Sequence, residues 1–319
     1  MPGFALYRRN LTLILSGLLI ATVASFAAPG RLLAAWSVNQ GALVLCNGNI
    51  LTALPRLKEA LVHDSANSRA YYLLGMAYIA QGDSYASQAA LSHSVELQPT
   101  NRLARMQLAE LYLRNGQIAL ALEQRWEAMQ GLSARTRGRM AGKLCPDHVN
   151  ACVTEFDLLL TLTDLSHADR RIIYHEALDG LTTIRSPKDA ERYAREAVKL
   201  SPQEAYFHWQ LANSLLFNQP EEALREAHIV EELKYEPATT YELFGKIYRR
   251  MGRWEQAIEA FEESLEINSN NAWVHFWLGE AYRKVGREEE AIREWQAALR
   301  IAPGFLEARQ VLESAGVQP

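Results

Sequence analysis

Turn-forming residues are scarce in this chain of 319 residues, with only 11 prolines and 18 glycines. So lean a punctuation excludes a loop-rich fold and favours long uninterrupted helices. Cysteine is scarcer still. The three present, Cys46, Cys145 and Cys152, exclude a disulfide-built scaffold and allow at most one intramolecular pair. No sign of charge dominates: 33 Lys and Arg against 37 Asp and Glu leave a formal net charge of -4. That balance supplies no broad field to gather nucleic acid or to press the whole body onto anionic lipid. Catalytic signatures are missing too. There is no Walker loop, no dinucleotide glycine fingerprint, no H-E-x-x-H and no G-x-S-x-G. The eight histidines do not cluster, and carboxylate pairs such as Glu221-Glu222 and Glu231-Glu232 read as solvated helix faces. A non-enzymatic protein with no cofactor and no metal is expected.

What is present is a folded composition, 49% hydrophobic and 22% charged, which excludes wholesale disorder. One long apolar run occurs, LTLILSGLLIATVASFAA from Leu11 to Ala28, after Arg8 and Arg9 and before Pro29, Gly30 and Arg31. Its eighteen uncharged residues are just enough to span a bilayer. A cleaved secretory signal, with Ser25 and Ala27 before the cut, and a buried core helix are the alternatives. The length favours the anchor. Arg8 and Arg9 outweigh Arg31 on the other flank and place the N-terminus in the cytoplasm. The expected localisation is a single-pass membrane protein with its body extracytoplasmic, or a secreted or periplasmic protein if the signal is cut.

Beyond that run the sequence repeats itself every 34 residues. The clearest unit, Ala238 to Asn271, carries Tyr241, Phe244-Gly245, Tyr248, Gly252, Ala257, Phe261 and Ser264. The next, Ala272 to Phe305, carries Leu278-Gly279, Tyr282, Gly286, Ala291, Trp295, Ala298 and Pro303. Earlier copies show Leu74-Gly75, Tyr78, Gly82 and Leu91, then Leu108-Ala109, Tyr112, Gly116 and Ala121. Weaker ones begin near Ala34 and run between Arg171 and Pro237. The pattern resembles the tetratricopeptide repeat family, with W-x-x-L-G-x-x-Y on a first helix and A-x-x-x-F-x-x-A on a second. Gly or Ala at the eighth position lets the two helices of a pair approach closely, and large residues fill the space around it. The resemblance implies an all-α, right-handed superhelical solenoid of antiparallel helix pairs. It would hold about seven repeats, some degenerate, after one N-terminal transmembrane helix.

Domain organisation follows from that register. Residues 1–33 hold the cytoplasmic tip and apolar segment, 34–135 a first sub-array, 136–170 an irregular linker with a CPDHVNAC loop and one helix, 171–305 a second sub-array, and 306–319 a capping helix and tail. The period breaks from Ser133 with a basic run of Arg135, Arg137, Arg139 and Lys143. Within the linker, Cys145, His148 and Cys152 have ligand types for zinc but lack a fourth donor. A Cys145–Cys152 disulfide or free thiols are the other readings, and an oxidising compartment favours the disulfide. Cys46 reads as a small apolar core residue.

In the resembled family the first helices line a concave groove that takes partner segments. Carried onto this sequence, the late groove positions are Tyr206, Trp209, Asn213, Phe217, Lys246, Arg249, Arg250, Trp273, Phe276, Trp277, Arg283 and Lys284. Aromatic anchors beside cations point to a partner segment with apolar and acidic groups. The early groove reads as apolar, with Val38, Tyr72, Leu73, Met76, Ile79, Met106 and Leu113. The lysine and asparagine pattern of the relatives that clamp acidic chaperone tails is absent. The resemblance therefore implies a membrane-tethered scaffold or assembly factor with protein or peptide partners, no nucleic acid, and membrane contact through residues 11–28. The alternative is an extracytoplasmic carrier-like module for glycan or another non-protein ligand.

Overall fold

A computed structural model describes residues 29–183 and 186–317. The apolar segment Leu11 to Ala28 lies outside them; among the described residues no helix is long and apolar enough to cross a membrane. The described residues form helices joined by short turns and contain no strand. The chain divides after Gly131. The first unit holds α1 (Pro29–Cys46), α2 (Ile50–His63), α3 (Ser68–Gln81), α4 (Ser84–Leu97), α5 (Arg102–Arg114) and α6 (Ile118–Met129). The second holds α7 (Ala134–Gly142), α8 (Val149–Leu160), α9 (His167–Thr183), α10 (Pro187–Leu200), α11 (Ala205–Leu215), α12 (Pro220–Glu232), α13 (Pro237–Met251), α14 (Trp254–Ile267), α15 (Ala272–Lys284), α16 (Glu288–Ile301) and α17 (Leu306–Ser314).

Local chemistry sets where the helices start and stop. Asn67, Asp83 and Asn101 accept the backbone N–H of Ala70, Ala86 and Ala104, which satisfies donors left open at each first turn. Gly82 and Gly252 end α3 and α13 with φ of 86° and 74°, a left-handed conformation that costs any residue with a Cβ. The chain can then reverse within two residues and pack the next helix antiparallel.

What brings four of the pairs together is a missing Cβ opposite a large side chain sixteen positions further along. A Cβ at Gly41 would lie 2.7 Å from Leu57, at Gly75 2.6 Å from Leu91, at Gly245 2.4 Å from the Phe261 ring and at Gly279 2.5 Å from the Trp295 ring. These large partners are all fully buried. Leucine can rotate away, but a buried ring held on both sides cannot.

The stretch 136–170 is not the irregular linker that its broken period suggests. It is largely helical: α7 packs on α9, and α8 touches both. Gly138 and Gly142 let α7 approach Glu176, while a Cβ at Gly180 would meet Cys145 Sγ at 2.7 Å. A disulfide joins Cys145 to Cys152, both fully buried. These close contacts use glycines outside the repeat pattern, so the period conceals them. The basic run sits on α7, where Arg137 donates to the Leu132 carbonyl and Arg139 faces Glu176 at 3.9 Å. Cys46 is only half-buried at the end of α1, unlike the core position expected. At the C-terminus Phe305, Ala308 and Leu312 are buried whereas Leu306 is exposed, so α17 covers the last pair through Ala308 and Leu312.

Two histidines link helices in the same way. His208 points Nδ1 at Glu226 Oε2 (2.6 Å) and Nε2 at the Pro202 carbonyl (3.0 Å). His275 repeats this with Glu294 (2.6 Å) and the Ser269 carbonyl (3.1 Å). Both nitrogens face acceptors, so only the doubly protonated ring donates to both. Burial opposes that charge, yet the carboxylate and carbonyl outweigh it and raise both pKa values above the ordinary histidine value.

Two outcomes follow for stability. Gly245→Ala gains about 1 kcal/mol of helix propensity but drives a Cβ into a ring that cannot yield, so it destabilises by about 1–2 kcal/mol net. Gly75→Ala, facing a rotatable leucine, stays within about 1 kcal/mol of the parent. Urea unfolding of both variants decides, and equal effects would remove the ring's special role. Because His208 and His275 have raised folded pKa values, their contribution is complete below the unfolded pKa and is lost as pH rises through the folded one. The His208→Gln/His275→Gln variant should therefore lose more stability at pH 6 than at pH 9. A pH-independent loss in urea melts contradicts the charged pairing.

Candidate functional site

In the second unit the first helices of successive pairs lie side by side: α11 contacts α13, and α13 contacts α15. α9 reaches α11 through Arg171 to Glu204 (3.2 Å) and Thr182 to Gln210 (3.1 Å). The late groove residues are arranged along this face. His175 stacks on Tyr206 at 4.4 Å, Tyr206 on Trp209 at 6.2 Å, and Trp209 leans toward Tyr235 at 6.2 Å. The Tyr206 hydroxyl donates to Asp179, and burial together with that carboxylate raises its pKa. Burial lowers the pKa of His175 despite Glu204 and Asp179 nearby, so the stacked ring stays neutral at pH 7. The Trp209 Nε1 donor is buried without a partner.

A ladder of polar groups crosses three repeats beside those rings. Asn213 donates to the Trp209 carbonyl (2.9 Å) and accepts from Lys246 (3.1 Å). Lys246 also reaches Glu242 (3.3 Å), Glu242 accepts from Asn271 (3.1 Å), and Asn271 caps α15 through the Trp273 N–H (3.1 Å). Arg249 pairs with Glu280 at 2.8 Å, and Lys246 and Arg249 each stand 5.7 Å from the centre of the Trp277 ring. Arg250 lies 5.2 Å over Phe217 and donates to its carbonyl. Trp277 is half-buried and packs 5.6 Å from Trp273. Trp273 is 47% exposed and Phe217 60%.

Several expected positions serve packing instead. Phe276 is 8% exposed and packs 5.2 Å from Phe305; the residue that covers it comes from the segment before α17. Arg283 lies over Trp295 at 5.1 Å and Lys284 over Trp254 at 5.8 Å, so both reach toward second helices and away from the ladder. Val38, Tyr72, Leu73 and Leu113 of the early set are buried, with Met76, Ile79 and Met106 half-buried, which makes that surface core. Glu242, Asn271 and Glu280 belong to the site although the aromatic and cationic pattern passes over them. The spacing of Glu242 four residues before Lys246 was the available signal. Among the described residues no group of three or more His, Cys, Asp or Glu is placed to hold a metal.

Family models match four segments: a tetratricopeptide repeat at residues 40–84, another at 68–101, a TPR repeat at 245–286 and a tetratricopeptide repeat at 272–305. This chain contains tetratricopeptide repeats. Their matched bounds at 272–305 coincide with the unit Ala272 to Phe305 that carries Trp273 and Trp277. Similar solved structures include the APC/C hetero-tetramer Cut9-Hcn1, at 15% identity and a TM-score of 0.45, covering 86% of this chain and 55% of that one. This chain thus spans about half the length of that protein. PilF of Pseudomonas aeruginosa matches at 12% identity and 0.33, over 82% and 100% of the two chains. MamA matches at 16% and 0.32, over 72% and 95%. Resemblances at this level carry no statement about partners. No curated protein matches the chain in sequence.

Proposed function

We propose that the chain is a non-enzymatic interaction scaffold that holds a partner protein segment on the first-helix face of α11, α13 and α15. The carrying observation is the pair of exposed rings, Trp273 and Phe217, flanking a polar ladder that is already satisfied. Exposed aromatic surface of this kind supplies anchors for binding. Lys246 and Arg249 are neutralised by Glu242 and Glu280, so the partner is held by apolar contact and hydrogen bonds at the rim, with little salt dependence. That departs from the acidic partner expected on residue types alone. A glycan stacked on the same rings is the competing occupant.

The proposal includes tethering by Leu11 to Ala28 with the repeats on the extracytoplasmic side. The charge bias of Arg8 and Arg9 supports that orientation, and the Cys145–Cys152 disulfide suits an oxidising compartment.

Photocrosslinkers placed at Phe217 and Trp273 in the native membrane should capture a protein segment, and Trp273→Ala should weaken its binding by roughly 30-fold, about 2 kcal/mol, while the variant, which loses packing on Phe305, stays folded. Trp295→Ala, which empties a fully buried site, should instead cost about 3–5 kcal/mol of folding stability. Unchanged affinity in folded Trp273→Ala sinks the groove assignment, and capture abolished by glycan-degrading treatment transfers it to the glycan. Topology is checked separately: a reporter active only in the cytoplasm, fused after Pro319, should be silent, and activity there would reverse the orientation.

A further inference from the structure

On the other side of the same repeats, α12, α13 and α14 enclose an open cavity of about 270 Å³. We propose that it binds an arginine side chain of a partner protein. Phe244 and Tyr248 form one wall, stacked at 6.1 Å and 18°, with the His228 ring 5.0 Å from Phe244. Glu231 of α12 and Glu259 and Glu263 of α14 supply carboxylates around the opening. Among the described residues Glu231 pairs with His228, at 3.5 Å. Glu259 and Glu263 are exposed and meet no cation at ion-pair distance among the described residues. Placed four residues apart on one helix, they are neighbours of like charge, an arrangement that a bound cation relieves.

The next repeat shows what fills such a position. Thirty-four residues on, Tyr248 becomes Tyr282 and Arg253 becomes Arg287. There the Arg287 guanidinium lies 4.3 Å over the Tyr282 ring and donates to Glu290 at 2.9 Å. Arg253 makes no such contact with Tyr248, and the place of Glu290 is taken by Gln256. The carboxylates stand on the neighbouring turns instead. Trp254, Phe217, Trp277 and Trp295 are likewise covered by cations of the chain itself. Tyr248, half-buried beside the buried Phe244, has acids around it and, among the described residues, no Lys or Arg over its ring.

Guanidinium suits the cavity better than ammonium. Its planar face stacks on an aromatic ring with little loss of hydration, while its edge donates to two carboxylates at once. This site lies between α13 and the second helices α12 and α14 and uses none of the ladder residues, so substitutions at its carboxylates test it independently of the first-helix groove.

The test uses the full-length protein in detergent and a hexapeptide alternating arginine and glycine, followed by isothermal titration. The arginine peptide should bind, the lysine analogue at least 5-fold more weakly, and Glu259→Gln/Glu263→Gln should weaken arginine binding at least 10-fold. Both substituted residues are exposed, and Glu288→Gln/Glu289→Gln, which removes the same charge from exposed positions on α16, should leave binding unchanged. No arginine-peptide binding, equal loss in the two double variants, or equal affinity for the lysine peptide overturns the proposal. Free arginine amide binding as tightly as the peptide assigns the cavity to a small molecule and overturns the protein partner.

Discussion

The contact between a missing Cβ and a buried large side chain sixteen positions later is the constraint on which the best-formed helix pairs depend. At Gly245 and Gly279 the opposing group is an aromatic ring, so the axes of a pair are held at a distance only glycine permits. That spacing turns the first helices of successive pairs into neighbours. Side chains of ordinary reach, Lys246 to Asn213 and Asn271 to Glu242, can then bond from one repeat to the next. A hydrogen-bonded ladder is thus a consequence of packing on the opposite side of each helix. Loosening the pair would cost the ladder its geometry before it cost any single hydrogen bond, each worth only about 1 kcal/mol.

The second consequence concerns charge. Within the second unit the cations near the aromatic rings are almost all engaged, either by carboxylates or by the rings themselves. Paired charges in water-exposed sites contribute little to stability, about 0–1 kcal/mol each, but they remove the long-range field that would steer an acidic partner. Recognition as proposed at Trp273 and Phe217 would therefore rest on shape and apolar contact, which act through dissociation rate more than through encounter.

Much of this was legible from residues alone because its causes are local. The pairing of Gly245 with Phe261 and Gly279 with Trp295 lies within one repeat, as does the turn at Gly252. Trp295 reads as core from its register and is core. Where the cause is distant the pattern fails. Phe276 occupies a groove position, but Phe305, beyond the next helix, covers it. Tyr72 and Leu73 are likewise covered by packing within their unit. The segment 136–170 has no tetratricopeptide period because α7 approaches α9 through Gly138, Gly142 and Gly180, a contact that skips the intervening helix. Ala177 nevertheless stands two repeat lengths after Ala109, so the irregular stretch occupies the space of one repeat. The cation positions were readable, but their neutralisation was not, since Glu280 meets Arg249 only across two helices.

Repetition also makes the molecule its own reference. Two copies of one backbone pattern differ in whether a tyrosine at the same position carries a guanidinium from its own chain, as Tyr282 does, or faces an open acidic cavity, as Tyr248 does. Because the backbone around both is set by the same glycine and large-residue pairing, the difference lies in side-chain choice at Gln256, Glu259 and Glu263 rather than in fold. A repeat so arranged presents apolar, charge-compensated chemistry on its first-helix face and uncompensated negative charge on its second-helix side. The two proposed sites therefore place chemistry of different character on one short segment of chain, each built on residues other than the glycine and large-residue pairs that hold the array together.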